Sequence, residues 1–258
     1  MKSILELKIS KDRYFEVFQE MKLECQQHAL KILVQDDIPS DRDAVLWKFL
    51  WARDFDVPKA IEMYKKSLAW RLDFKPDEIT AESIKPILMS ERVIVTGQDK
   101  EGRACLVITS RHHTPGEFTI EEMTRYGIFH LEKAIKEGEA RGQSKFCAIV
   151  NRHGMTMANQ DRAFMQHFVQ VLQNNYPERL GVLYIVEINW IFRMFFTFIK
   201  VFLSQATIDK IKLLDGPEAL REFVEEDQIT QDLKGKSLFK YDPVAQYGFQ
   251  QDKDPQTE

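Results

Sequence analysis

"NNYPERLGVLYIVEINWIF" (residues 174–192) holds the end of one helix, a whole strand and the start of another helix. Pro177 stops a helical stretch in which Phe164, Phe168, Val171 and Leu172 recur at helical spacing. "GVLYIVEI" (181–188) is then a continuous apolar run, and a second such run, "KFCAIVN" (145–151), lies upstream. Strand, helix and strand within about 45 residues predict a βαβ unit with a right-handed crossover. Neither run alternates apolar with polar residues. That predicts strands covered on both faces, as in a parallel sheet.

Downstream, "WIFRMFFTFIKVFL" (190–203) carries five phenylalanines in fourteen residues. On a helical wheel Arg193, Thr197 and Lys200 share one narrow stripe, and every other position is apolar. At about 1.5 Å per residue such a helix is roughly 21 Å long, short of the roughly 30 Å of a bilayer's hydrocarbon core. A core helix buried on most sides accounts for this pattern. So does a helix that meets a lipid in a cavity or a membrane surface, because phenylalanines offer large apolar area with few rotatable bonds. Beyond it, "KIKLL" predicts one more strand and "PEALREFV" one more helix, and from about Tyr241 the chain is a polar tail.

Upstream the periodicity is helical. Ser40 and Asp43 form a variant capping box before Leu46, Phe49, Leu50 and Arg53. Pro58 suits a first helical turn, followed by an apolar stripe of Ile61, Tyr64, Leu68 and Leu72. Residues 11–34 are a weaker helical stretch. After Pro86, "RVIVTG" and "RACLVIT" flank a turn at Gly102 and predict a hairpin or neighbouring strands. Thr119 and Glu122 form a capping box for a helix to about Glu139, with Ile120, Met123, Gly127, Leu131 and Ala134 on its inner face. The expected division is a helical region over 1–85, an α/β domain over 86–240 and a tail over 241–258.

The 258 residues carry a formal net charge of −4, which points away from a nucleic-acid partner. Three cysteines without CxxC spacing, and no apolar leader or run of spanning length, predict a cytoplasmic protein with reduced thiols. GxSxG, GxGxxG, P-loop and HExxH patterns are absent, so no enzyme activity, metal or cofactor is expected. His112 and His113 are adjacent and make a poor metal pair, and Cys147 reads as a small core residue. Glu178 and Arg179 suit a solvated loop, and Lys210 and Lys212 alternate with Ile211 as at a half-exposed strand start. The same groups also suit the mouth of an apolar pocket, where a few polar side chains orient a ligand.

Taken in order, "FLWARDFDVPKAIEMYKKSLAWR", "DKEGRACLVI", "RHHTPGE", "NNYPERLGVLYIVEINWIF" and "FIKVFLSQATIDKI" resemble the CRAL-TRIO family of phosphatidylinositol and phosphatidylcholine transfer proteins, over about residues 40 to 235. The resemblance implies an N-terminal helical bundle and an α/β domain with a mostly parallel sheet, whose hydrophobic pocket is closed by a mobile lid helix. It implies binding of one lipid and its transfer between membranes, with transient peripheral membrane association. Phosphatidylinositol is the first expected ligand, and phosphatidylcholine, squalene or another isoprenoid are alternatives. A lipid-sensing regulatory module is the rival function, and no protein partner is indicated. Residue by residue, the head-group site falls on Arg53, Glu178, Thr207 and Lys210. Lid and membrane contacts fall on Trp190, Phe192, Phe195, Phe196, Phe198 and Phe202. The chain departs from the family pattern at Asp54, where a second basic residue is frequent, at Asn189 and Val201 in place of prolines, and at Gly235, which stands alone where a glycine pair is common.

Overall fold

The computed structural model describes residues 11–27, 42–188 and 190–249, apart from the side chains at positions 11, 12, 14, 15, 27, 42, 43, 191 and 195. The Ser40–Asp43 cap lies outside the described residues. The chain divides into two compact units, Met1–Lys75 with Val169–Arg179, and Pro76–Phe168 with Leu180–Glu258.

The first unit is helical: α1 (Lys11–Gln27), α2 (Arg42–Trp51) and α3 (Val57–Phe74). Its core joins Phe18 and Met21 of α1, Leu46, Phe49 and Leu50 of α2, and Ala60, Ile61 and Tyr64 of α3. Phe18 stacks on Trp47 at 4.2 Å, and Phe49 meets Tyr64 edge-on at 5.0 Å. Asp56 caps α3 by accepting from the Lys59 N–H at 3.1 Å, and Pro58 occupies the first turn. The buried stripe of α3 is Val57, Ala60, Ile61, Met63, Tyr64 and Ser67, and Leu72 is 77% exposed. The predicted stripe therefore drifts off the core in the last turn, since spacing alone does not say how far a partner helix extends. Trp70 meets Tyr176 edge-on at 5.9 Å, which holds the 169–179 segment to this unit.

The second unit is built on a five-stranded sheet in sequence order: β1 (Val93–Gln98), β2 (Ala104–Thr109), β3 (Phe146–Asn151), β4 (Leu180–Val186) and β5 (Ile211–Leu214). β1 and β2 are antiparallel, and β2, β3, β4 and β5 are mutually parallel. The β1–β2 turn is tied by Asp99. Its carboxylate accepts from the Glu101 and Arg103 N–H groups at 3.0 Å and pairs with the Arg103 guanidinium at 2.5 Å, while Gly102 takes the left-handed φ of 80°. This is why the sequence reads D-x-x-G-R there.

α4 (Lys85–Leu88) leads into β1, and α5 (Ile120–Glu139) crosses from β2 to β3. The α5 capping box is present, with Glu122 N–H on the Thr119 hydroxyl at 3.2 Å and Thr119 N–H on the Glu122 carboxylate at 2.8 Å. Ile120, expected on the inner face, is 41% exposed because it sits in the first turn beside that cap. Tyr126 donates to the Val93 carbonyl at 3.1 Å and accepts from the Val93 N–H at 2.8 Å, pinning α5 to the edge strand.

α6 (Arg162–Asn175) joins β3 to β4, and α7 (Trp190–Lys200) and α8 (Gln205–Ile208) join β4 to β5. "PEALREFV" forms a 3-10 segment, Pro217–Glu222, rather than an α-helix, and its short turns let Leu220 and Val224 pack under the sheet. The stretch read as a polar tail contains α9 (Pro243–Tyr247), capped by Asp242 and ended by Gly248 at φ 68°, with Phe249 buried.

Candidate functional site

The two faces of the sheet differ. Cys105, Val107, Cys147, Ile149, Val182, Tyr184, Val186 and Leu214 share one face and are all buried with Leu220, Val224, Ile229 and Leu233. On the opposite face the register aligns Ile108 with Val150 and Ile185, and Leu183 with Ile211. Ile108, Val150, Leu183 and Ile211 are only half-buried, and Leu213 on that face is 43% exposed. Leu106, Ala148 and Ile185 on that face are buried, so its part-open patch is made by Ile108, Val150, Leu183, Ile211 and Leu213, an apolar surface of the kind that receives a lipid chain.

α7 begins after the carboxyl end of β4, following Glu187 at a left-handed φ of 65°. One side of α7 is buried through Phe192 and Ile199, seven residues apart. The outward arc is wider than the predicted narrow stripe. Arg193, Thr197 and Lys200 are exposed as expected, but so are Trp190 (66%), Met194 (51%) and, just past the helix, Val201 (75%). Phe196, Phe198 and Phe202 are half-buried, and the Phe195 side chain lies outside the described residues. Phe192 stacks on Phe196 at 5.2 Å. Two guanidinium groups lie against the helix's rings: Arg152 at 4.6 Å from the centre of Phe192, and Arg162 at 5.1 Å from Phe198.

The strand ends beside α7 are polar. Asn151 donates to the Asp232 carboxylate at 2.9 Å, and the His153 Nδ1 lies 3.0 Å from the Glu187 carboxylate. His113 Nε2 lies 3.2 Å from Asp161, and His112 Nδ1 lies 3.3 Å from the Glu91 carbonyl. Each of these three histidines thus has its own local partner. Among the described residues no group of His, Cys, Asp or Glu side chains is placed to hold a metal ion. Cys147 is fully buried beside Cys105, and that thiol's hydrogen bond together with burial pushes the Cys147 thiol well above its ordinary pKa, as befits a core residue.

The four residues expected at a head group fall in both units. Arg53 and Glu178 belong to the first. Arg53 is half-buried just after α2 and donates to the Ala52 carbonyl at 2.9 Å. Asp54, which stands where a second cation is frequent, has a φ of 50°, a conformation that aspartate tolerates better than most residues. Glu178 follows α6 at a left-handed φ of 57°. Thr207 and Lys210 belong to the second unit. Ser204 caps α8 by accepting from the Thr207 N–H at 3.2 Å, and the Lys210 carbonyl accepts from Leu183 N–H at 2.9 Å, so Lys210 is fixed at the start of β5.

The CRAL/TRIO domain family matches residues 88–235, more than half of the chain, and the CRAL/TRIO N-terminal domain matches residues 14–66. The chain belongs to the CRAL/TRIO family. Among relatives of this CRAL/TRIO protein, the phosphatidylinositol transfer protein CSR1 of Eremothecium gossypii is 30% identical over 215 residues, covering 78% of this chain and 48% of that protein. The CRAL-TRIO domain-containing protein C3H8.02 of Schizosaccharomyces pombe is 22% identical over 242 residues, covering 90% and 54%. Patellin-5 of Arabidopsis thaliana is 28% identical over 238 residues, covering 83% and 35%. The chain thus spans about half or less of the length of these relatives. The crystal structure of Sfh5 superposes with a TM-score of 0.72 at 18% identity over 83% of this chain and 84% of that one, which shows a shared CRAL/TRIO fold.

Three residues of interest escaped the sequence reading. Met194 and Val201 looked like more of an apolar helix, and only burial separates its outward residues from its inward ones. Arg152 sits in "VNRHG" without any motif. The one available signal was a cation two residues beyond Val150, on the same face of a strand otherwise apolar on both faces.

Proposed function

We propose that this chain is a non-enzymatic lipid carrier. It takes one lipid from a membrane into an apolar site on the half-open face of the sheet, covers it with α7, and releases it at another membrane. The observation that carries this reading is α7 itself. An eleven-residue helix at the carboxyl edge of a parallel sheet buries Phe192 and Ile199 inward and leaves Trp190 and Met194 outward. A helix apolar on both sides suits an element that covers an acyl chain when closed and enters the bilayer interface when open. Covering the acyl chain contributes about 25 cal/mol per Å² of apolar surface removed from water.

Phosphatidylinositol is the first ligand in this reading, held by Arg53, Glu178, Thr207 and Lys210. Cations and a hydroxyl suit the phosphate, and a carboxylate suits the ring hydroxyls. The family membership and the CSR1 similarity support it. In this reading the carrier works in the cytoplasm and visits membranes peripherally; among the described residues no helix is long and apolar enough to cross a membrane.

The test is to extract the purified protein with organic solvent, identify the released molecules by mass spectrometry, and follow vesicle-to-vesicle transfer of labelled phosphatidylinositol. Co-purified lipid and accelerated transfer are the expected results. Absence of both overturns the carrier reading, and binding without transfer favours a lipid-sensing module.

A further inference from the structure

Eight buried side-chain nitrogen and oxygen atoms lack a hydrogen-bond partner among the described residues, and five of them belong to His113, Arg152 and Gln160. Those three residues lie in the connections that leave the carboxyl ends of β2 and β3. The remaining three are single atoms of Ser67, His130 and Thr230. This concentration is informative for two reasons. Buried polar atoms are normally paired, so those left without a protein partner take one from water, an ion or a ligand. Open α/β sheets also bind ligands outside the carboxyl ends of their parallel strands.

Arg152 is the strongest member. It is 4% exposed, and its Nε and Nη2 have no hydrogen-bond partner among the described residues. The acids near this strand end are held by its chain neighbours, Asp232 by Asn151 and Glu187 by His153. Strand alternation puts Arg152 on the side opposite Asn151 and in line with Val150, so it shares the half-open apolar face. Its N–H still bonds the Val186 carbonyl at 3.3 Å, which continues the β3–β4 ladder and fixes where the side chain departs. The guanidinium lies 4.6 Å from the centre of the Phe192 ring of α7. Desolvation lowers its pKa to about 10, so it remains a cation at neutral pH. Gln160, in the same connection, has both amide atoms buried and without a hydrogen-bond partner among the described residues, a further donor and acceptor at this end of the sheet.

We propose that Arg152, beneath Phe192 of α7, binds the oxyanion of an amphiphile whose acyl chain lies on the half-open face of the sheet. The chemistry is shared by the carboxylate of a fatty acid and the phosphodiester of a phospholipid, both of which match the planar guanidinium fork. The assignment rests on the lipid-carrier reading above, and for phosphatidylinositol it competes with the Arg53, Glu178, Thr207 and Lys210 head-group assignment: Lys210 precedes β5 whereas Arg152 follows β3, at the opposite ends of parallel strands, so a single phosphate occupies one of the two places. A buried cation without a counter-ion among the described residues is expensive beside pure hydrocarbon, so anionic amphiphiles are preferred over neutral ligands such as squalene. The oxyanion also places charge under α7 and links occupancy of the site to the Phe192 contact.

The experiment compares wild type, Arg152→Met and Arg152→Lys in the full chain with three probes: oleate, phosphatidylcholine vesicles containing phosphatidylinositol, and squalene. Loading is quantified by mass spectrometry and affinity by titration, and the melting temperature of the ligand-free proteins is recorded. Arg152→Met is expected to weaken oleate or phosphatidylinositol binding at least tenfold, to maintain or raise squalene loading, and to keep or raise the melting temperature, since it removes a buried charge without a hydrogen-bonded partner among the described residues. Arg152→Lys keeps the charge but not the fork and falls between. Loss confined to oleate identifies a carboxylate as the ligand group, and loss confined to phosphatidylinositol identifies a phosphodiester. Anion binding within twofold of wild type, equal loss of squalene, or a melting temperature several degrees lower each overturns the assignment. Wild type that loads squalene alone overturns this assignment and leaves the carrier reading standing, whereas wild type that loads none of the three overturns both.

Discussion

Replacing Trp190 with alanine tests whether the outward side of α7 meets membranes. Trp190 is 66% exposed in the first turn of the helix, so its truncation removes little internal packing, and the melting temperature should stay within about 2 °C of wild type. A fully covered tryptophan buries roughly 250 Å², so the exposed two-thirds amounts to about 165 Å². At about 25 cal/mol per Å², complete insertion of that area would contribute up to about 4 kcal/mol to membrane binding. Interfacial insertion covers only part of a side chain, so a loss of about 1.5–3 kcal/mol, or roughly ten- to a hundredfold in partition coefficient, is expected. Adding Met194→Ala, at 51% exposure on the same side, should deepen the loss. The assay is co-sedimentation with phosphatidylcholine–phosphatidylinositol vesicles, alongside tryptophan emission, which should lose its vesicle-induced blue shift in the variant. Partition within twofold of wild type, with the fold intact, would refute a membrane-facing α7.

Glu178→Ala combined with Lys210→Ala should lower phosphatidylinositol loading while sparing an apolar ligand, and equal loss of both kinds sinks the head-group assignment. Gly235→Ala should destabilise the fold by about 3 kcal/mol in a urea titration, because its methyl would collide with the Ile229 carbonyl under the sheet; wild-type stability in that variant would show that the turn can move. Burial lowers the pKa of the fully buried His130 from 6.5 to about 4, so the folded state binds fewer protons than the unfolded chain between those values. Stability should therefore be unaffected by this group above pH 6.5, fall as the pH drops, and have lost roughly 3 kcal/mol below pH 4. The urea midpoint of His130→Phe should fall less steeply over that window, and parallel slopes would remove His130 as a source of acid sensitivity.

Local patterns carry their own chemistry, and those were legible. The apolar runs of β3 and β4 lack alternation because both faces are covered over most of their length, and the structure places them in parallel register. The Thr119–Glu122 pair caps α5 because three-residue spacing brings each side chain to the other's backbone N–H. Gly102 announced the β1–β2 turn, where it takes a left-handed φ, and the structure adds the Asp99 carboxylate that ties it. The head-group residues came from resemblance to a family pattern rather than from spacing, and they remain proposals.

What the sequence by itself determined is the set of elements that depend on neighbours a few residues apart: caps, turns, strand runs and the aromatic helix. Only the tertiary structure decided which side of that helix is covered, that Leu72 and Ile120 escape their cores, and that Arg152 lies buried under Phe192. The reason is one of range. A helical wheel records where side chains point relative to one another, whereas burial and an unpaired charge depend on residues brought together from strands and helices far apart in the chain.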